Sequence, residues 1–271
     1  AMEEDDQLPV HRQMRTTASL ESVWDAWTDP ESLSQWLCDS ATGWPAQGST
    51  LKLTWARFGF TIDYFIVEVE RLKRVVLRAQ IPGIGYQFMG VTLTRRGVTT
   101  NVSLKETVHE GCSPEERMES ESAWDLNLAL LKLYVERYFG RKRATFFALL
   151  AAPFGYEQIK AHFTEPDKLS QWLGSEVTWG EVGQPYSLTL DDGQKMSGTI
   201  LAITTHEVAL SWDEIDGYLE LKAIPVEPGK KAICLRGGGY GLAPEKAKDL
   251  EKTMEAACIR LFALLTGVQI A

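Results

Sequence analysis

Positive charge is in short supply in this chain, where 28 Lys and Arg face 37 Asp and Glu and leave a formal charge of −9. That balance excludes nucleic acid as the main partner, because binding to phosphate draws on clustered cations. The two short basic groups, RLKR at 71–74 and GRKR at 140–143, read as solvated turns. Cysteine is sparse and unpaired in pattern: Cys38, Cys112, Cys234 and Cys258 form no Cys-x-x-Cys, which argues against a disulfide framework and for a reducing compartment. No stretch approaches the roughly eighteen consecutive apolar residues of a membrane span. The first ten residues, AMEEDDQLPV, are acidic where a secretory leader is basic, so the expected location is the cytoplasm.

Catalytic motifs are also missing. There is no Gly-x-Ser-x-Gly and no His-Glu-x-x-His, and His11, His109, His162 and His206 are scattered without metal-ligand spacing. RGGGYG at 236–241 lacks the spacing of a phosphate loop and reads as a flexible turn. Asp191 and Asp192, followed by Gly193, read as a hairpin turn, and Glu68 and Glu70 as a sheet edge or solvent face. No catalytic residue, metal or cofactor is therefore expected.

What the sequence does contain is a repeat. Residues 28–37 read TDPESLSQWL and residues 164–173 read TEPDKLSQWL, seven of ten identical at an offset of 136. Upstream, Leu20, Val23, Trp24 and Trp27 align with Tyr156, Ile159, Lys160 and Phe163 at helical spacing. A period this long means two copies of a domain rather than a solenoid. Each copy reads as a strand, two helices, a run of short alternating strands and a long closing helix, at 122–139 and 244–265. Ser19 suits a helix cap, and Asp29 with Pro30 suits the start of the second helix, where Glu165 is a weaker cap. The expected fold class is α+β, with domains at 10–140 and 141–271, each a curved antiparallel sheet around its long C-terminal helix.

The helix pattern Val23-Trp24-x-Ala26-Trp27 followed by Thr28-Asp29-Pro30-Glu31-x-Leu33-x-x-Trp36 resembles the activator-of-heat-shock-protein-90-ATPase homologue family of the START-like (SRPBCC, Bet v 1-like) superfamily. Ala123-Trp124 is similar to that family's Gly-Trp helix start, and GTILAITTHEVALSW at 198–212 to its strand pair ending in Thr-Trp. The resemblance implies a tandem helix-grip fold, with a cavity between sheet and helix of the kind used to hold small apolar molecules. It leaves the activity open among binding proteins, carriers, co-chaperone domains and a few cyclases.

Six of the nine tryptophans fall in the first copy. The residues expected around its cavity are Trp24, Trp27, Trp44, Trp55, Tyr64, Phe88, Trp124 and Leu128, with Lys160, Phe163, Trp212 and Met254 marking a second-copy site. Lys160 stands where the first copy has Trp24, as a snorkelling side chain or a buried amine. The expected function is binding or carrying a small apolar ligand. A protein-interaction or co-chaperone module is the second reading and a cyclase or hydrolase the third. A protein partner is possible, and the sequence leaves the oligomeric state open.

Overall fold

A computed structural model describes residues 8–152, 154–227 and 230–268 of the chain. The acidic segment 1–7 lies outside them. The chain divides into two compact units between Gly140 and Arg141.

Unit 1 runs β1 (Val10–Thr16), α1 (Leu20–Thr28), α2 (Pro30–Leu33), β2 (Ser40–Gly43), β3 (Thr50–Trp55), β4 (Phe60–Glu70), β5 (Arg74–Ile81), β6 (Gly85–Arg96), β7 (Thr99–Glu106) and α3 (Pro114–Leu133), which continues as a π-helical turn, Tyr134–Tyr138. Unit 2 repeats the order with β8 (Arg143–Ala152), α4 (Tyr156–Thr164), α5 (Pro166–Leu169), β9 (Ser175–Thr178), β10 (Pro185–Thr189), β11 (Lys195–Ile203), β12 (Val208–Trp212), β13 (Gly217–Glu227), β14 (Lys230–Tyr240) and α6 (Pro244–Thr266). Each sheet has seven antiparallel strands, ordered β1-β7-β6-β5-β4-β3-β2 and β8-β14-β13-β12-β11-β10-β9. The fold is α+β, two tandem helix grips. Among the described residues no helix is long and apolar enough to cross a membrane.

The repeated decamer fixes the helix pair in each unit. Ser19 caps α1 by accepting from the Ser22 amide, and Asp29 caps α2 by accepting from the Glu31 amide at 3.1 Å. Glu165, one methylene longer, makes no such bond at α5. Trp36 Nε1 donates to the Ala26 carbonyl at 2.8 Å, and Trp172 Nε1 donates to the His162 carbonyl at 2.9 Å, ten residues back in both cases. Both indoles are buried. One side chain thus fills the core, satisfies its own polar atom and clamps the short helix against the longer one, which explains why this stretch recurs almost unchanged.

Three details differ from the sequence reading. α3 begins at Pro114 rather than near 122, because Ser113 and Glu116 form a reciprocal capping box with Pro114 in the first turn. Its polar first two turns carry no apolar stripe to announce them. Residues 236–240 of RGGGYG lie in β14, and only Gly241 is in a turn. The strand glycines make room: a Cβ on Gly237 would stand 2.2 Å from the Phe146 ring, and one on Gly238 2.9 Å from the Tyr218 hydroxyl. The short edge strands β2 and β9 were not separable from the loops that follow them.

A polar cluster inside unit 1 and candidate ligand groups around it

Strand parity builds the interior of unit 1. On β7, Thr100, Val102 and Leu104 are buried on the concave face, and the next residue with that parity is Glu106. On β4 the same face carries Ile62, Tyr64 and Ile66, with Tyr64 in register with the buried Leu51. Across from them, α3 brings Ser120 and Trp124. Ser120 Oγ donates to Glu106 Oε1 at 3.0 Å, and the Trp124 side chain makes a second hydrogen bond to the carboxyl.

Burial pushes the Glu106 carboxyl above the ordinary glutamate range, and the bonds from Ser120 and Trp124 pull partly against it. The Tyr64 phenol is pushed up as well, by burial first and then by the negative charges of Glu106 and Cys38. Among the described residues its hydroxyl has no hydrogen-bond partner. Both groups lie deep enough for strong desolvation yet keep accessible surface, being only half-buried.

Trp27 packs edge-on to Trp36 with ring centres 4.9 Å apart and lies 6.2 Å from Trp124. Its Nε1 is buried without a hydrogen-bond partner among the described residues. Leu128 is buried one helical turn beyond Trp124. Trp24 and Trp44 belong elsewhere. With Asp25, Asp29, Pro45, Val69 and Arg71 they line an open groove of 1010 Å³ along α1, α2 and β2, whose lining does not include Tyr64, Glu106 or Trp124. Trp44 is 72% exposed there. Burial first, then the neighbouring Asp29, raises the Asp25 carboxyl, with Arg71 opposing.

The eight expected residues therefore do not share one cavity. Trp55 stacks on Phe60 and donates to the Leu37 carbonyl at 2.9 Å. Phe88 is on the wrong face: Met89, Val91 and Leu93 point inward on β6, so Phe88 points outward, 40% exposed and in register with Arg78. Glu68 and Glu70 are exposed. Glu106, the acid that does face inward, was passed over, although its parity with Val102 and Leu104 could have found it.

Unit 2 treats the same positions differently. Glu106 pairs with Val10 across β7 and β1, and the matching pair across β14 and β8 is Gly237 with Phe146, whose ring fills the space above the glycine. Tyr64 opposes Leu51, and the matching pair is Gly198 with Tyr186. Counted from the first proline of each long helix, Ser120 and Trp124 correspond to Leu250 and Met254. Phe163, Trp212 and Met254, expected to line a second site, are sealed in the core with these residues, while Lys160 is half-buried on α4.

The fold also gathers three groups that lie within eight residues of one another in sequence. His109, Cys112 and Glu116 bring one donor atom each within 4.8 Å of one another. This changes the picture of scattered histidines without ligand spacing.

Residues 17–136 match the sequence model of the family described as Activator of Hsp90 ATPase homolog 1-like protein. Among solved structures, DynU16 from the dynemicin biosynthetic locus is 19% identical over 95% of this chain and 98% of its own, at a TM-score of 0.44. The di-domain ARO/CYC BexL from the BE-7585A biosynthetic pathway is 11% identical over 93% and 96%, at 0.42. The Aha1 dimer from Colwellia psychrerythraea is 18% identical over 48% and 96%, at 0.43. No curated protein matches the chain. The family match lies wholly within unit 1, which is thereby similar to the Activator of Hsp90 ATPase homolog 1-like family.

Proposed function

We propose that unit 1 binds a small, mainly apolar molecule that carries one hydrogen-bonding group, between its sheet and α3. The observation behind this reading is the inward-facing, half-buried Glu106 and Tyr64 among apolar walls. An acid in such a place is costly unless it is protonated or partnered. Glu106 and Tyr64 together offer a carboxyl and a phenol O–H, and one hydrogen-bonding group on the ligand, a carbonyl or a hydroxyl, meets them. The apolar remainder meets Ile62, Leu128 and the indole of Trp124. Surplus apolar contact sets the affinity, so micromolar binding, about −8 kcal/mol, is expected for a ligand of modest size.

Native mass spectrometry of the chain purified without detergent tests this. A retained small molecule that is lost in Ser120→Leu, the side chain used by unit 2, is the expected result. A bare mass in the native chain, together with no uptake of added apolar ligands, would overturn it. The open groove with its exposed Trp44 favours the second reading, a protein-interaction module. Capture of a partner that depends on Trp44 and not on Ser120 would support that reading instead.

A further inference from the structure

We propose that His109, Cys112 and Glu116 form a site for one thiophilic divalent cation, Zn²⁺ in the first instance, at the N-terminal end of α3. His109 follows β7 by three residues, Cys112 ends the connecting loop and Glu116 lies in the first turn of α3. His109 Nδ1 is held against the Glu110 carbonyl at 2.9 Å, leaving Nε2 to face Glu116 Oε2 at 3.0 Å. A ring nitrogen fixed by a backbone carbonyl while the other is presented outward is the usual outer support of a metal-bound histidine.

The third donor, Cys112 Sγ, completes a set whose members lie within 4.8 Å. Tetrahedral zinc bonds of ~2.0–2.3 Å put donor atoms ~3.5 Å apart, so side-chain rotations of about an ångström close the site. The set is chemically selective: thiolate with imidazole suits zinc and its thiophilic neighbours, not Mg²⁺ or Ca²⁺. A helix N-terminus ordinarily repels cations. Here a thiolate and a carboxylate cancel the two charges of the ion, and the helix end favours the thiolate. Binding releases two protons to solvent, one from the Cys112 thiol and one from His109 Nε2, and exchanges the His109–Glu116 contact for two metal bonds.

Two features sharpen the assignment. Three protein ligands leave a fourth position open, as in zinc sites that accept water or a substrate atom. Glu116 also precedes Ser120 by one helical turn, so the site stands near the interior cluster that Ser120 joins to Glu106. Unit 2 is a built-in contrast: its connection reads Gly241-Leu242-Ala243, and Lys246 stands where α3 has Glu116.

Cobalt substitution tests the site directly. After chelator treatment, the full chain titrated with Co²⁺ should develop a near-ultraviolet thiolate-to-cobalt charge-transfer band that saturates at one equivalent and is displaced by Zn²⁺. The other described cysteines, Cys38, Cys234 and Cys258, are buried, so the band reports Cys112. Cys112→Ser should abolish it, and His109→Ala should weaken Zn²⁺ binding by more than the ~10-fold that loss of an outer-shell partner costs. Far-ultraviolet circular dichroism of each variant controls for folding. No band, or stoichiometric Zn²⁺ binding that survives in the His109→Ala/Cys112→Ser double variant, would overturn the proposal.

Discussion

Units 1 and 2 share a strand order, a helix order and a Trp clamp, yet they spend their interiors differently. Where unit 1 places Glu106, Tyr64, Ser120 and Trp124, unit 2 places Gly237, Gly198, Leu250 and Met254, with the Phe146 ring over Gly237 and Ser211 packed close against Gly198. The lesson is that the scaffold needs only apolar volume at these positions. Four polar or amphipathic groups converging in unit 1 exceed what folding requires, because each costs desolvation that unit 2 avoids. That difference is what the proposed ligand site in unit 1 rests on.

The largest effects should fall where the units agree. Trp36→Ala and Trp172→Ala should each lose about 3–5 kcal/mol, the usual cost of deleting a buried large aromatic, measured by denaturant unfolding. Similar losses would uphold the structural equivalence of the two decamers. A loss below about 1 kcal/mol at either would break it.

Exchanging the contrasted residues should give unequal results. Gly237→Glu drives a side chain into the Phe146 ring and buries a polar group without a partner, so unit 2 should lose about 2–5 kcal/mol from overpacking and desolvation together. Glu106→Gly in unit 1 should cost only about 1 kcal/mol, the price of a glycine in a strand. Equal losses would mean that Glu106 is packing.

Acidity gives a subtler signature. The Glu106 carboxyl is raised in the folded chain, so its contribution to stability is complete below the unfolded pKa, near 4.5, and is lost as pH rises through the folded value. Relative to Glu106→Gln, the native chain should become less stable from about pH 4 upward, levelling off above the folded pKa. Denaturation midpoints of both proteins across that range would show it, and parallel curves would contradict it. The smallest effect concerns the long helices. Ser113→Ala should cost about 1 kcal/mol by removing the α3 cap, while Ala243→Ser should gain up to that amount at α6, which has no side-chain cap.

Most of the fold was legible in sequence because the recurring signals are local: the decamer, the apolar stripe of α1 and the period-two strands. The start of α3 was not, since a capped polar turn looks like a loop to any reading based on apolar periodicity. The interior was partly legible. Tyr64 and Trp124 follow from parity and helix position, but Phe88 was placed by its aromatic character against the parity set by Met89 and Val91. Glu106 was passed over because a single acid at a strand end resembles a solvent-facing residue. Trp24 was placed by its helical stripe and is indeed buried, though it also borders the outer groove, while Trp44 was placed by aromatic character alone and is exposed there. His109, Cys112 and Glu116 stand only eight residues end to end, and they were missed because the histidines were weighed against one another and not against the nearby Cys112 and Glu116.

One titration tests most directly the difference between the interiors. Nile red, an uncharged apolar dye with a carbonyl acceptor, should gain fluorescence on binding the native chain with a dissociation constant in the micromolar range, about −8 kcal/mol. Ser120→Leu and Leu128→Trp, which fill the interior of unit 1, should weaken that binding at least tenfold, about 1.4 kcal/mol, while Met254→Trp in unit 2 leaves it within twofold. Binding that ignores both unit 1 variants and disappears with Met254→Trp would place the open interior in unit 2 and contradict the assignment.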